Sequence, residues 1–287
     1  HVAMNGASAG RKIISLLNVP DPVWGENEVS GTELKLNGVT FSYDGKRDVL
    51  KNVDMTFSEQ GMTAIVGRSG CGKSTVVNML VGAYRPKAGN VTVGGEVLEN
   101  VTRESYYSRL ASVSYNTYIF NDTVRANFEL AKKNATDEEI WNALEKVNLA
   151  DFIKENGGLD KVITEDANNV SGGQKQRLAL AVNLVADKDI YVFDEATSNI
   201  DIESEAIIMD NIKAMSREKS VIVISHRLAN VVPADNIYYM EEGEVKEHGS
   251  HAQLMSAQGG YAKLFNTQKA LEEGYKEITG ATAEVSV

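Results

Sequence analysis

Residues Gly67-Arg68-Ser69-Gly70-Cys71-Gly72-Lys73-Ser74-Thr75 have the spacing G-x-x-x-x-G-K-S, which is typical of a loop that binds phosphate groups. The preceding run, Met62–Val66, reads as a short buried strand, and Thr75–Ala83 reads as a helix that stops at Arg85-Pro86. A strand that turns sharply into a helix directs backbone N–H groups and the positive end of the helix dipole at one point. The stretch therefore predicts a nucleoside triphosphate site.

The residue types of this loop suit that chemistry. Its glycines permit a tight turn and let a phosphate approach the backbone, where a Cβ atom would obstruct it. Lys73 would reach the β- and γ-phosphates, and the Ser74 hydroxyl would ligate Mg²⁺. An ordinary glycine turn between a strand and a helix is the alternative. The predicted nucleotide-binding residues of the loop are Gly67, Arg68, Ser69, Gly70, Cys71, Gly72, Lys73, Ser74 and Thr75.

Composition limits the class of protein. The chain has 287 residues and a net charge of −11, and it lacks the stripe of Lys and Arg that a nucleic-acid partner requires. No apolar run approaches the ~18–20 residues that span a bilayer, and no signal-peptide pattern is present. The single cysteine, Cys71, favours a reducing compartment. Because the chain starts at His1, we expect an excised fragment.

Antiparallel strands are predicted on either side of the strand–helix unit Met62–Ala83. Glu33–Tyr43 alternates apolar and polar residues, and Val49–Ser58 follows it after an Asp44-Gly45 turn. Val91–Val97 reads as a compact hairpin. We therefore expect a small antiparallel subdomain around the phosphate-binding loop.

The middle of the chain reads as helical, and a β/α rhythm returns after Ser171. Residues 121–168 carry helix signals, among them the capping box Thr136-Asp137-Glu138-Glu139. Continuous apolar strands after Ser171 are typical of a buried parallel sheet. The predicted elements there are a helix over Gly173–Ala186, a strand over Ile190–Phe193, a helix over Ile202–Met215, a strand over Ser220–Ser225, and a hairpin of Ile237–Met240 with Glu244–Glu247.

The two ends of the chain differ from this pattern. Ala7–Val19 has apolar residues at helical spacing, and Pro20-Asp21-Pro22 ends that helix before a polar linker. A surface helix of the domain itself is the alternative. Beyond about Gly274 the residues are small and polar, with no clear pattern.

Two acids follow the apolar strand Ile190–Phe193. Buried strands of α/β sheets deliver side chains to a ligand at their carboxyl ends. Asp194 is placed to hold Mg²⁺ through water, and Glu195 is placed to orient or deprotonate an attacking water. A helix cap is the alternative, since Ala196-Thr197 follows.

A second anion cradle is predicted at Val170-Ser171-Gly172-Gly173-Gln174, which precedes a helix in the same way as the first loop. Ser171, Gly172, Gly173 and Gln174 would contact phosphate. One triphosphate needs only one such loop. Two cradles in one chain therefore suggest that two copies of the domain meet head to tail and share two nucleotides.

Together these motifs resemble the ATPase (nucleotide-binding) domain of ABC transporters, from about Glu33 to Leu264. The second cradle followed by an Asp-Glu-Ala-Thr-Ser run is highly specific to that family. The residues that carry the resemblance are Gly67–Thr75, Val170–Gln174 with Lys175-Gln176-Arg177, Asp194–Ile200 with Asp201, and His226.

The resemblance implies further roles. Tyr43 looks like the aromatic residue that stacks on adenine. Ser198–Asp201 looks like a loop that crosses the dimer interface, and Asp201 is expected to be among the nucleotide-binding residues. His226 looks like the switch histidine that contacts the γ-phosphate, acting with Glu195 and Lys73 in catalysis. Taken alone, His226 would be read as a polar residue at a strand end, and Tyr43 as a sheet-surface aromatic.

The resemblance also implies partners and location. Residues 7–22 resemble the junction where the last membrane helix of a fused, exporter-type ABC protein enters its ATPase domain, and Glu165 resembles a glutamate typical of that subgroup. It implies ATP and Mg²⁺ as cofactors, a second ATP-binding domain and a transmembrane domain as partners, and the cytoplasmic face of the cell membrane as the location.

The chain departs from the family pattern at Tyr115. The family usually has a glutamine about five residues before a pair that here is Ile119-Phe120, and its amide normally meets Mg²⁺ and the attacking water. A neutral phenol is a poor Mg²⁺ ligand, so we expect slower hydrolysis or altered coupling with ATP binding retained. Asn116 supplying the amide is the rival explanation.

The fold expected from the resemblance is α/β: a P-loop NTPase (RecA-like) parallel-sheet core with an antiparallel β subdomain and an inserted α-helical subdomain. Two other functions stay open, a soluble ABC ATPase not coupled to transport and an ATP-binding regulatory module with little turnover. The predicted ranges are a linker or membrane-domain junction over 1–30, the antiparallel subdomain with the first part of the core over 31–110, the helical subdomain over 111–170, the second part of the core over 171–270, and a tail over 271–287.

Overall fold

The computed structural model describes residues 24–115, 118–164, 167 and 169–284, with residues 273–284 described by their backbone alone. The predicted helix at Ala7–Val19, its end at Pro20-Asp21-Pro22, and the residues Glu165 and Asn116 lie outside this part of the chain.

A small antiparallel sheet has the strand order β2-β1-β4-β5. Its first strand buries alternate residues on one face, which is the pattern that an exposed antiparallel strand shows. The observed hairpins agree with those predicted around Asp44-Gly45 and over Val91–Val97. The strands are β1 (Leu34–Phe41), β2 (Leu50–Phe57), β4 (Ala88–Val93) and β5 (Glu96–Val97).

A larger sheet has the order β10-β9-β3-β8-β7-β6 and is parallel except for the terminal β9–β10 hairpin. All five residues of its central strand β8 are buried. The carboxyl ends of the parallel strands therefore meet at one edge of the sheet, where α/β proteins bind ligands. The strands are β3 (Gly61–Gly67), β6 (Leu110–Ser114), β7 (Ile190–Asp194), β8 (Ser220–Ile224), β9 (Asn236–Glu241) and β10 (Glu244–Gly249).

Helices pack against both sheets, and the buried apolar side chains form two clusters. One cluster joins the helical region after β6 to one face of the large sheet, and the other joins the small sheet to the opposite face. The capping box predicted at Thr136 is present. The helices are α1 (Lys73–Leu80), α2 (Arg103–Arg109), α3 (Val124–Ala131), α4 (Asp137–Lys146), α5 (Ala150–Glu155), α6 (Gly172–Val185), α7 (Ile202–Met215), α8 (His251–Ala257) and α9 (Gly260–Glu284).

Four elements were not predicted: the edge strand β6, the short helix α2 before it, and the C-terminal helices α8 and α9. Strand β6 reads Leu-Ala-Ser-Val-Ser, which is too short and polar to indicate a core strand, and it forms by parallel pairing with β7. Residues 111–114 thus lie in the large sheet and not in the helical subdomain predicted over 111–170. At the other end, α9 continues across residue 271, where the sequence analysis expects an unpatterned tail. Among the helices described, none has the length and hydropathy to cross a membrane.

Candidate functional site

The phosphate-binding loop packs too closely for side chains at its two outer glycines. Gly67 has φ +152°, and a Cβ atom there would lie 2.3 Å from the carbonyl oxygen of Met240. Gly72 has φ +111°, and a Cβ atom there would lie 2.9 Å from a methyl carbon of Leu50. Both positions therefore require glycine, and the backbone of the loop stays accessible to a ligand.

Lys73 is buried and begins helix α1. Its Nζ atom donates to the carbonyl oxygens of Gly67 at 2.9 Å and Arg68 at 3.1 Å, so the ammonium group lies in the concave side of the loop. The first turn of α1 has no side-chain cap and no acidic residue. Its N–H groups and the lysine charge together suit an anion such as phosphate.

Asp194 ends strand β7 with a buried Oδ1 atom that has no hydrogen-bond partner among the described residues. Burial raises the pKa of its carboxyl group, as does the charge of Glu195, while the charges of Lys73 and His226 lower it. A buried carboxylate oxygen without a partner fits a divalent cation. The hydroxyl of Ser74, which is exposed beside Lys73, is the second oxygen that could ligate such a cation.

No group of three or more His, Cys, Asp or Glu side chains that could hold a metal occurs within the described part of the chain. Mg²⁺ in such a site would take much of its coordination from phosphate oxygens and water, which is the ordinary pattern for this ion.

Glu195 and His226 lie side by side at the ends of neighbouring strands. The Nε2 atom of His226 is 2.5 Å from Oε1 of Glu195. Glu195 is partly buried, whereas half of the His226 side chain is exposed. The Glu195 backbone has φ +54°, an uncommon conformation for a residue with a side chain. A partly buried carboxylate that contacts an imidazole is suited to orient a water molecule or to accept a proton from it.

Tyr43 lies close to the start of α1. Its hydroxyl is 3.1 Å from Oγ1 of Thr75, and its ring packs edge-on against Phe41 and Tyr84. Because 54% of Tyr43 stays exposed, a face of the ring is open to a flat ligand. This arrangement is consistent with the predicted adenine contact beside the phosphate-binding loop.

The second cradle forms the start of helix α6 and contains a capping box that was not predicted. The Ser171 hydroxyl accepts the backbone N–H of Gln174, and the Gln174 side chain accepts the backbone N–H of Ser171. Ser171 and Gly172 are exposed. The box fixes the loop at the helix start, and the N–H groups of Gly172 and Gly173 remain at the positive end of the helix dipole.

Asp201 caps helix α7 within its own chain. Its carboxylate accepts the backbone N–H of Ser204 at 2.8 Å, and this hydrogen bond is the main cause of the lowered pKa of its carboxyl group. The predicted contact of Asp201 with nucleotide concerns the copy across the dimer interface and stays a prediction.

Tyr115 is more than half exposed, and its backbone N–H donates to the carbonyl oxygen of Asp194 at 3.2 Å. The residue therefore follows the edge of the sheet that carries Asp194 and Glu195. Tyr118 and Phe120 continue the exposed aromatic surface after it, with their rings edge-on at 5.0 Å.

Sequence reasoning missed a buried carboxylate, Glu205, that joins the segments on both sides of the site. It accepts hydrogen bonds from the Thr197 hydroxyl at 2.7 Å and the Asn230 amide at 2.8 Å, and it forms an ion pair with Arg227, next to His226. One signal was available. Glu205 shares helix spacing with Ile208 and Ile212, and an acid on an apolar face indicates a buried ion pair.

Comparison with known proteins then decides the family. A model of the ABC transporter family matches residues 50–198, which is more than half of the chain. The chain belongs to the ABC transporter family. It is called the ABC domain. The predicted family, the P-loop fold class and the assignment as an ABC ATPase are thereby confirmed.

Relatives of the ABC domain are longer proteins. An uncharacterized ABC transporter ATP-binding protein of Haemophilus influenzae is 41% identical over 98% of this chain and 51% of its own length. The ATP-dependent lipid A-core flippase of Dechloromonas aromatica is 37% identical over 93% of this chain and 47% of its own. A bacterial Atm1-family ABC exporter with ATP bound is 29% identical, with a TM-score of 0.83 over 92% of this chain and 47% of that chain. The ABC domain thus spans about half the length of these relatives.

Proposed function

We propose that the ABC domain binds and hydrolyses Mg-ATP in a head-to-tail dimer, and that this drives transport across a membrane. The observation that carries the proposal is the grouping of three features at one edge of the large sheet: Lys73, the Glu195–His226 pair, and the Asp194 Oδ1 atom, which has no hydrogen-bond partner in the described part of the chain. A nucleotide there would have its triphosphate at the loop Gly67–Thr75 and its adenine on Tyr43.

Residues of the chain perform the hydrolysis in this proposal. Ser74 and Asp194 would hold Mg²⁺, which would supply positive charge to the phosphate oxygens. Glu195 orients a water for attack on the γ-phosphate and accepts its proton, and His226 holds the carboxylate while facing the γ-phosphate. Lys73 stabilises the charge on the β- and γ-phosphates.

The dimer follows from the two cradles. Ser171–Gln174 of one copy would close over the γ-phosphate held by the other copy, so each nucleotide is buried between two chains. Hydrolysis removes that contact and allows the dimer to open, which makes the pair a two-state switch. The Glu195–His226 contact supports turnover over the alternative of a regulatory module that only binds ATP.

Coupling to transport requires the part of the protein that the relatives have and this chain does not span. We propose that this part is a fused transmembrane domain preceding the ABC domain, which would locate the domain at the cytoplasmic face of the cell membrane. The relatives are named for different cargoes, among them lipid A-core and iron-sulfur clusters. The proposal therefore concerns the ATPase step and its coupling.

A single variant tests the composite site. Glu195→Gln removes the proton acceptor and leaves both cradles intact, so we expect ATP to hold the variant as a stable dimer in light scattering. Addition of Ser171→Arg should abolish this dimer, because a bulky charged side chain blocks the second cradle. A monomeric Glu195→Gln variant at saturating Mg-ATP would contradict the proposal, as would parental ATPase turnover that is independent of protein concentration.

A further inference from the structure

The side chain of Gln176 joins the second cradle to the segment that carries Glu195. Gln176 lies in the first turns of α6 and is 6% exposed. Its Nε2 atom donates to the carbonyl oxygen of Glu195 at 3.2 Å, and its Oε1 atom accepts the backbone N–H of Asn199 at 3.0 Å. The nitrogen and the oxygen of the amide thus both form hydrogen bonds with backbone groups of the segment after β7.

These hydrogen bonds act on a residue whose backbone conformation must be held in place. Glu195 has φ +54°, a sparsely populated conformation for a residue with a side chain, and such a conformation persists only where the surrounding structure holds it. Its N–H donates to Ile224 at the end of β8, and its carbonyl accepts from Ser198 as well as from Gln176. Ser198 belongs to the same segment as Glu195, whereas Gln176 belongs to helix α6. The Gln176 hydrogen bond therefore links Glu195 to α6.

Helix α6 and the segment Ser198–Asp201 are also in tight contact. A Cβ atom on Gly173 would lie 2.9 Å from the carbonyl oxygen of Asn199. A displacement of the start of α6 therefore moves Asn199 directly, and it moves the Glu195 peptide through Gln176.

We infer that Gln176 is a positioning residue that couples the two half-sites of one chain. Contact of Ser171–Gln174 with the γ-phosphate held by the partner shifts α6, and the Gln176 amide passes that shift to the Glu195 peptide, which aims the carboxylate. This inference rests on the proposed head-to-tail dimer. Each chain contributes Glu195 to one nucleotide site of the dimer and Ser171–Gln174 to the other. The inference means that ATP bound at the second of these sites changes the rate of hydrolysis at the first.

The test replaces the amide with an apolar side chain of similar length. In Gln176→Met we expect kcat to fall about tenfold or more, because a misdirected catalytic group loses rate steeply. The KM for ATP should stay within about twofold, because the phosphate-binding loop is unchanged. The Hill coefficient for ATP should fall towards one. The matched control is Asn183→Met, which removes an amide that donates to Ala179 in the same helix α6, and it should leave all three values unchanged.

A second variant and a second readout separate positioning from folding. Gln176→Glu keeps an acceptor for Asn199 and loses the donor to Glu195, so it should show the same loss of kcat. Each Gln176 variant, combined with Glu195→Gln, should still form the ATP-bound dimer. Parental kcat and Hill coefficient in both Gln176 variants would overturn the inference, and so would loss of the ATP-bound dimer in these double variants. Failure of Glu195→Gln alone to dimerise would instead contradict the proposed function.

Discussion

The imidazole of His226 meets the carboxylate of Glu195 across neighbouring strands, with Nε2 2.5 Å from Oε1. The two residues follow β8 and β7, whose register pairs Ile224 with Asp194, so the sheet itself brings them together. Because the Glu195 backbone is tied to Ile224 by its own N–H, the strand that precedes His226 also fixes Glu195. The pair is therefore a product of sheet pairing.

Removal of the imidazole should slow hydrolysis without preventing ATP binding. In His226→Ala we expect kcat to fall on the order of a hundredfold, since a group aimed at the reacting centre is lost. ATP affinity, measured by calorimetry, should change less than about threefold. His248→Ala, at an exposed histidine of β10, is the control and should match the parent. Undiminished kcat in His226→Ala would contradict its catalytic role.

The Tyr43 ring should increase the affinity for the adenine base and leave the affinity for the triphosphate unchanged. In Tyr43→Ala we expect the Kd for ATP to rise about tenfold, because stacking of a base on an aromatic ring is worth about 1–3 kcal/mol. Tyr43→Phe keeps the ring and loses the contacts of its hydroxyl with Thr75 and Asn78, so its Kd should stay within about threefold. Affinity for inorganic triphosphate should be equal in all three proteins. An equal loss for ATP and triphosphate would refute stacking.

Alkylation of Cys71 should block nucleotide binding, because the thiol lies inside the phosphate-binding loop and is 4.0 Å from the Lys73 ammonium. We expect N-ethylmaleimide to abolish binding of a fluorescent ATP analogue, and bound ATP to protect the thiol. Cys71 is the single cysteine, so Cys71→Ala should be insensitive to the reagent. Full ATP affinity after complete alkylation, verified by mass spectrometry, would rule this out.

Restoring a glutamine at Tyr115 should increase turnover. Tyr115→Gln introduces an amide beside the end of β7, where Tyr115 already bonds to the Asp194 carbonyl through its backbone. We expect a higher kcat with little change in ATP affinity. An amide oxygen is a better ligand for Mg²⁺ than a neutral phenol, and the amide can also hydrogen-bond the attacking water. Tyr118→Gln is the control for added polarity on the same exposed surface. No rise in kcat in Tyr115→Gln would favour Asn116 as the source of the amide.

The buried Glu205 should stabilise the fold. Glu205→Ala removes the ion-pair partner of Arg227 and an acceptor of Thr197 and Asn230, so we expect the free energy of unfolding to fall by about 1–3 kcal/mol in urea titration. Glu203→Ala, at an exposed acid on the same helix, should change it by less than about 0.5 kcal/mol. Equal stability of the two variants would mean that the network around Glu205 contributes nothing measurable.

Local patterns were enough to predict most elements. Helix α7 spans the predicted Ile202–Met215, and the Thr136 capping box starts α4 as expected. Such features depend on residues a few positions apart, whose spacing and capping chemistry are visible in the sequence. Strand β6 could not be predicted in this way, because its five residues mix Leu, Ala and Val with two serines and are too few to show a period, and the strand is defined by its pairing with β7.

The amino-acid sequence by itself determined the phosphate-binding loop, the acids after β7 and the second cradle, because each is a strand–turn or turn–helix motif contained in a few consecutive residues. Only the tertiary structure decided what joins them. The Glu195–His226 pair, the Gln176 bridge and the Glu205 network connect residues from separate elements. Contacts of that kind depend on strand order and helix packing, so a local pattern can mark Glu205 as a buried acid but cannot identify its partners.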